Sequence, residues 1–220
     1  MKFEEHFLYY LGLNIAPAVG ALFAYIFKIH KLEAGKYIFY LLLVACCIET
    51  MVELHFQLRL GRNVFFNSIS RILNLSLYSF LIYELTGKNR IVKLMATTLT
   101  LIVIICLVFI EGFNNYAPIA YSLEELSVIL LCFYYFYFVF QNDIEISISD
   151  NPSFALICVV LIYHCGSLFT SIMILRITED LESYLLYDLQ LWLDGVLNFA
   201  LIGMLIFIYQ NEKRVRSAFN

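Results

Sequence analysis

The sequence predicts an all-α, polytopic membrane bundle: seven transmembrane helices, the N-terminus outside and the C-terminus inside, in one domain spanning residues 1–220. Three observations carry this. The composition is 62% hydrophobic and only 15% charged, with a mean hydropathy of +0.81, whereas a soluble domain is about half apolar and about a quarter charged. The apolar residues fall in seven runs of membrane-crossing length. Lysine and arginine are distributed unequally over the connections between those runs.

A helix needs about 20 mostly apolar residues to cross the hydrocarbon core. The runs are 7–27, 37–58, 64–83, 94–113, 120–140, 152–175 and 187–209. The first follows Met1-Lys2-Phe3-Glu4-Glu5-His6, where two acids offset one lysine. It is too long for a signal-peptide core and is read as a retained helix. Pro17 lies inside that run and predicts a kink. The second is apolar from Tyr37 to Ile48 and then turns polar, and the third carries Asn67, Arg71 and Asn74. The third is the weakest by hydropathy, but dropping it breaks the charge pattern. The fourth and seventh are the clearest. Pro118 and Pro152 mark the starts of the fifth and sixth, where a missing N–H costs nothing. The connections are too short to hold a soluble domain. Asn74-Leu75-Ser76 matches a glycosylation acceptor but falls inside the predicted membrane. No repeat is visible.

Basic residues set the orientation. With the N-terminus outside, the inner segments hold Lys28, Lys31, Lys36, Lys88, Arg90, Lys93, Lys213, Arg214 and Arg216, against Lys2, Arg59, Arg62 and Arg176 outside. That excess follows the positive-inside rule. The acidic 141–151 connection and the basic 59–62 connection run against it.

Polar residues inside a membrane are costly and face the bundle interior. Glu49 and Glu53 share one face of helix two, and Asn67, Arg71, Asn74 and Tyr78 form one stripe of helix three. Glu124 and Glu125 open helix five, His164, Ser167 and Ser171 line helix six, and Asp194 and Asn198 line helix seven near Asp188 and Trp192. In the predicted orientation these lie in the outer half or near the midplane, above almost uniformly apolar inner halves. The pattern implies a polar cavity open to the outside and closed below. The candidate ligand-binding set is Glu49, Glu53, Asn67, Arg71, Asn74, Glu124, Glu125, His164, Asp194 and Asn198. A structural polar network that ties helices together is the competing reading. Depth counting along the second and third helices pairs Arg71 with Glu49 and Glu53.

Several chemistries lack their residues. All six cysteines lie in apolar runs and no CxxC occurs, which argues against disulfides and thiolate zinc sites. There is no HExxH and no Gly-rich phosphate loop, and helix seven has no lysine for a Schiff base. His55 and His164 fall at different depths, which argues against a shared haem or metal, and His164 is expected to be a satisfied interior histidine. The aromatic run Phe133–Phe138 is expected to face lipid or the interface. No catalytic residue, cofactor, metal or nucleic-acid partner is expected. The expected partners are the lipid bilayer and a small or cationic ligand.

Ile48-Glu49-Thr50, Ser79-Phe80-Leu81-Ile82-Tyr83, Tyr121-Ser122-Leu123-Glu124-Glu125 and Leu191-Trp192-Leu193-Asp194-Gly195-Val196-Leu197-Asn198 stand in an order that resembles a group of seven-helix membrane proteins from Bacteroidetes-type bacteria. The resemblance spans nearly the whole chain, and members often carry His where this chain has Asp194. Genes of that group frequently neighbour sensor histidine kinases. The resemblance thus implies a signalling or sensory accessory protein of the inner (cytoplasmic) membrane, acting through a separate partner. A small secondary transporter of SWEET-like size and topology is the alternative, although no PQ dipeptide or matching proline pair is found. A structural subunit is the third reading.

Overall fold

The computed structural model describes residue 13 and residues 15–57, 64–112, 117–142, 151–176 and 180–218. Among the described residues there are seven α-helices and no strand. They are α1 (Ala16–Ile26), α2 (Glu33–Gln57), α3 (Val64–Leu85), α4 (Arg90–Ile105), α5 (Pro118–Gln141), α6 (Pro152–Arg176) and α7 (Asp180–Ala218). A 3-10 turn, Ile29–Lys31, joins α1 to α2, and a wider π-helical turn, Cys106–Glu111, extends α4. Five stretches are long and apolar enough to cross a membrane: Gly35–Val52, Arg90–Glu111, Pro118–Gln141, Pro152–Met173 and Leu189–Arg214. The chain is a helical membrane protein.

Local chemistry sets the helix ends. Pro17 stands in the first turn of α1. Leu13 and Ile15 just before it are π-helical, a widened turn of the kind that interrupts an α-helix, and the rest of the expected first run lies outside the described residues. Between α3 and α4, Gly87 takes a left-handed φ of 66°. The Lys88 amide reaches back to the Tyr83 carbonyl at 2.8 Å, a glycine-dependent helix stop. Asn89 then caps α4, its side chain accepting from the Ile91 amide at 2.8 Å. The Glu111 carboxylate accepts from the Ile119 and Ala120 amides at 2.9 and 2.8 Å. An acid at a helix N-terminus satisfies orphan donors and complements the helix dipole, so α5 starts at a fixed place. The seventh helix departs from its expected span, 187–209: α7 is continuous over 39 residues. No proline interrupts that stretch, and its backbone bonds close within the helix whether lipid or water surrounds it.

Helices α1, α2, α3, α5, α6 and α7 pack as neighbours around the bundle, with α1 closing onto α7 and α4 lying against α3 and α5. Consecutive helices alternate in direction. The start of α4 meets the end of α5 through Asn89 and Tyr134, 3.1 Å apart. The end of α1 meets late α7 where Phe23 and Phe27 pack on Tyr209. Alternation brings late α2, early α3, early α5, late α6 and early α7 to one end, here the polar end. The opposite half is packed with apolar side chains, among them Ile38, Leu42, Leu81, Ile82, Leu131, Ile157 and Leu205, all essentially inaccessible. The aromatic run on α5 divides by helical phase: Phe133 and Tyr137 are exposed, whereas Tyr135 is buried.

Candidate functional site

The polar end holds a cavity of about 180 Å³ between α2, α3, α5, α6 and α7. Of the residues expected to form a site, Glu49, Asn67, Arg71, Asn74, Asp194 and Asn198 line it. Glu124, Glu125 and His164 do not line it but sit behind Arg71, fully buried. The Glu53 side chain lies outside the described residues, as do the side chains of His55 and Asp188. Trp192 points away from the site and is exposed.

Arg71 is the hinge between cavity and buried cluster. Its Nη1 donates to Glu124 Oε2 at 3.1 Å and also to Glu125 Oε1. Its guanidinium carbon lies 5.1 Å from the centre of the Tyr121 ring, a cation–π contact. The expected pairing of Arg71 with Glu49 is therefore corrected, since the ion pairs seen reach across to α5; the pairing with Glu53 falls on a side chain outside the described residues. Helices α2 and α3 are indeed neighbours, and depth counting placed the charges at compatible heights. Height says nothing about the direction a side chain takes around its helix, and the Arg71 face of α3 looks toward α5.

From Glu125 a continuous hydrogen-bonded chain crosses to α7. His164 Nδ1 donates to Glu125 Oε2 and Ser167 Oγ to Glu125 Oε1. Gln190 Nε2 donates to Ser167 Oγ at 2.9 Å and to Asp194 Oδ1 at 3.2 Å. Thr170 donates to Gln190, and the Tyr163 hydroxyl donates to Asp194. The His164 ring is held edge-on between Tyr78 and Tyr163, at centroid distances of 4.8 and 4.9 Å. Buried polar groups are tolerated when each finds a partner. Among the described residues, two atoms of this cluster do not: Glu124 Oε1 and His164 Nε2. His164 is thus satisfied at one ring nitrogen only. Glu124, Glu125 and His164 each offer a ligand-type atom, and those atoms lie within 4.8 Å of one another.

Tyr163, Thr170 and Gln190 were not singled out in the sequence. Their signal was present: Gln190, Asp194 and Asn198 repeat at i, i+4 and i+8, and Tyr163, Ser167, Thr170 and Ser171 share one helix face. Tyrosine and threonine barely change hydropathy, so the stripe is legible only once the charged members are known to face inward.

Comparison with protein-family models, curated proteins and solved structures returned no match.

Proposed function

We propose that this protein is a receptor-like sensory accessory protein of the inner membrane, with seven spans, an N-terminus outside and a polar cavity open to the outside. It passes a conformational change to a separate partner, such as the sensor histidine kinases whose genes neighbour the group it resembles. One observation carries the reading: the cavity stops at a half-bundle of close-packed apolar side chains. A pocket with one mouth and a dry floor suits a bound signal rather than a translocated one. Orientation has its own support. Lys28, Lys31, Lys36, Lys88, Arg90, Lys93, Lys213 and Arg214 belong to the α1–α2 and α3–α4 connections and their flanking turns and to late α7, at the end opposite the cavity, as the positive-inside rule requires.

The conduit is α7. It runs unbroken from Gln190 and Asp194 at the site to Lys213 and Arg214 at the basic end. A ligand that breaks the Tyr163–Asp194 contact removes a tie between α6 and α7. The change is then carried to the last turns of α7, where Tyr209 packs on α1. The ligand needs different affinities for the two arrangements to shift their populations.

Cysteine accessibility tests this reading in a background with the six native cysteines replaced. Asn67→Cys and Asn74→Cys are expected to react with an impermeant thiol reagent outside spheroplasts, and Ser217→Cys only after lysis. Leu205→Cys is expected to stay unreactive from either side. Labelling of Asn74→Cys from both faces would replace sensing with alternating access, and labelling of Ser217→Cys in sealed spheroplasts would invert the topology.

A further inference from the structure

We propose that Glu124, Glu125 and His164 form a binding site for one divalent transition-metal ion of the zinc type. This goes beyond the sensing reading and does not depend on it. The first observation is geometric: two carboxylates and one imidazole, from α5 and α6, bring their ligand atoms within 4.8 Å of one another. Carboxylate oxygen and imidazole nitrogen are the donors such ions take. Glu124 and His164 supply them, and Glu125, bonded to His164 Nδ1, fixes the ring as carboxylates behind ligating histidines do, with water filling the remaining positions. The second observation is independent of that clustering. Glu124 Oε1 and His164 Nε2 are unpartnered, on residues that are 0% and 1% exposed. Unpaired buried acceptors cost free energy unless something occupies their lone pairs. A structural network complete in itself would have no reason to leave two such atoms in the same cluster.

Charge points the same way. Glu124 and Glu125, both fully buried, share the one guanidinium of Arg71, which leaves one carboxylate in excess that a divalent cation offsets. Arg71 does not occupy the site. It binds Glu124 through Oε2 and Glu125 through Oε1; Glu124 Oε1 has no partner among the described residues, while Glu125 Oε2 accepts from His164 Nδ1. Ser167 orients Glu125, and Tyr78 and Tyr163 hold the His164 ring, the kind of support that ligating side chains receive from their surroundings. The adjacent glutamates at 124 and 125 and a lone histidine 39 residues later form no recognisable motif, so a metal is not legible from residue spacing.

The test uses the full chain, purified through a tag without histidine and stripped with a chelator. Added Zn²⁺ is expected to bind at one ion per chain and to raise the thermal unfolding midpoint. Glu124→Gln and His164→Gln are expected to abolish stoichiometric uptake, whereas Glu84→Gln, which pairs with Lys88 at the opposite end of α3, keeps it. Absence of one-to-one uptake by the wild type overturns the proposal, and so does undiminished uptake by folded Glu124→Gln and His164→Gln. Should those variants fail to fold, X-ray absorption of the zinc-loaded chain with His6, His30 and His55 replaced decides: one imidazole among oxygen neighbours is expected, and a sulfur or all-oxygen shell refutes the assignment.

Discussion

At the polar end, α3, α5, α6 and α7 meet through Arg71, Glu124, Glu125, His164, Ser167 and Gln190. In the other half, helices of the same bundle meet through Leu42, Leu81, Leu131, Ile157 and Leu205. The two halves respond differently to a lost side chain. In a bilayer, apolar contacts between helices compete with equally apolar lipid, so shape and van der Waals contact hold them together. Gly20 illustrates this: a Cβ built there would stand 2.8 Å from side-chain atoms of both Ile202 and Leu42, so three helices approach closely only because one offers no side chain. The polar end depends instead on satisfaction. Each buried donor needs its acceptor, and removing one member leaves a charge or dipole with nowhere to turn. One half tolerates reshaping, and the other tolerates only compensated change.

The largest effect is expected at Arg71. Arg71→Leu leaves Glu124 and Glu125 buried without their cation, a loss of about 3–5 kcal/mol to be read as folded yield and unfolding midpoint in detergent. Adding Glu124→Gln is expected to recover part of it, whereas adding Glu49→Gln is not. Strict additivity of Arg71→Leu with Glu124→Gln would show that the two do not interact. Next comes Gln190→Leu, which takes partners from Ser167, Thr170 and Asp194 together and is expected to cost about 3 kcal/mol, the upper end for lost buried hydrogen bonds. A cost near zero in the same unfolding assay would mean that the α6–α7 tie is dispensable and would remove the proposed conduit.

In the apolar half, Gly20→Ala is expected to cost about 1 kcal/mol, because the added methyl meets the yielding ends of Ile202 and Leu42 rather than backbone. A loss as large as that of Arg71→Leu would erase the contrast between the halves. The smallest effect belongs to the outer face of α4, where Leu94 and Leu101 are 70% and 53% exposed. Leu101→Ala is expected to stay within about 0.5 kcal/mol, and a larger loss would place a protein neighbour, not lipid, on that face.

Within the bundle, α3 and α4 make the same point about legibility. Arg90–Glu111, which holds α4, is the most apolar of the five membrane-crossing stretches, at a mean hydropathy of 2.6, and it contributes nothing to the cavity. Helix α3, with Asn67, Arg71 and Asn74, is not among those five, yet it touches α2, α4 and α5 and carries the central cation. Hydropathy measures what a helix would meet in lipid. A helix enclosed by others meets protein, so its composition answers to its neighbours.

The helices, their order and the polar end of the bundle are legible in the residue string. Those follow from how many apolar residues a membrane requires and from how far along each helix a polar residue stands, both of which are linear quantities. Alternation of direction then brings late α2, early α3, early α5, late α6 and early α7 to one level without further information. Who meets whom at that level depends on how the helices pack. Arg71 could turn toward α2 or α5, and about 100° of rotation per residue around a helix of 3.6 residues per turn makes that choice invisible to depth counting. It turned to Glu124 and Glu125. The grouping of those two with His164, and the two atoms they leave unpartnered, came from the rotation of α3, α5 and α6 about their axes, which side-chain packing sets and no single helix encodes.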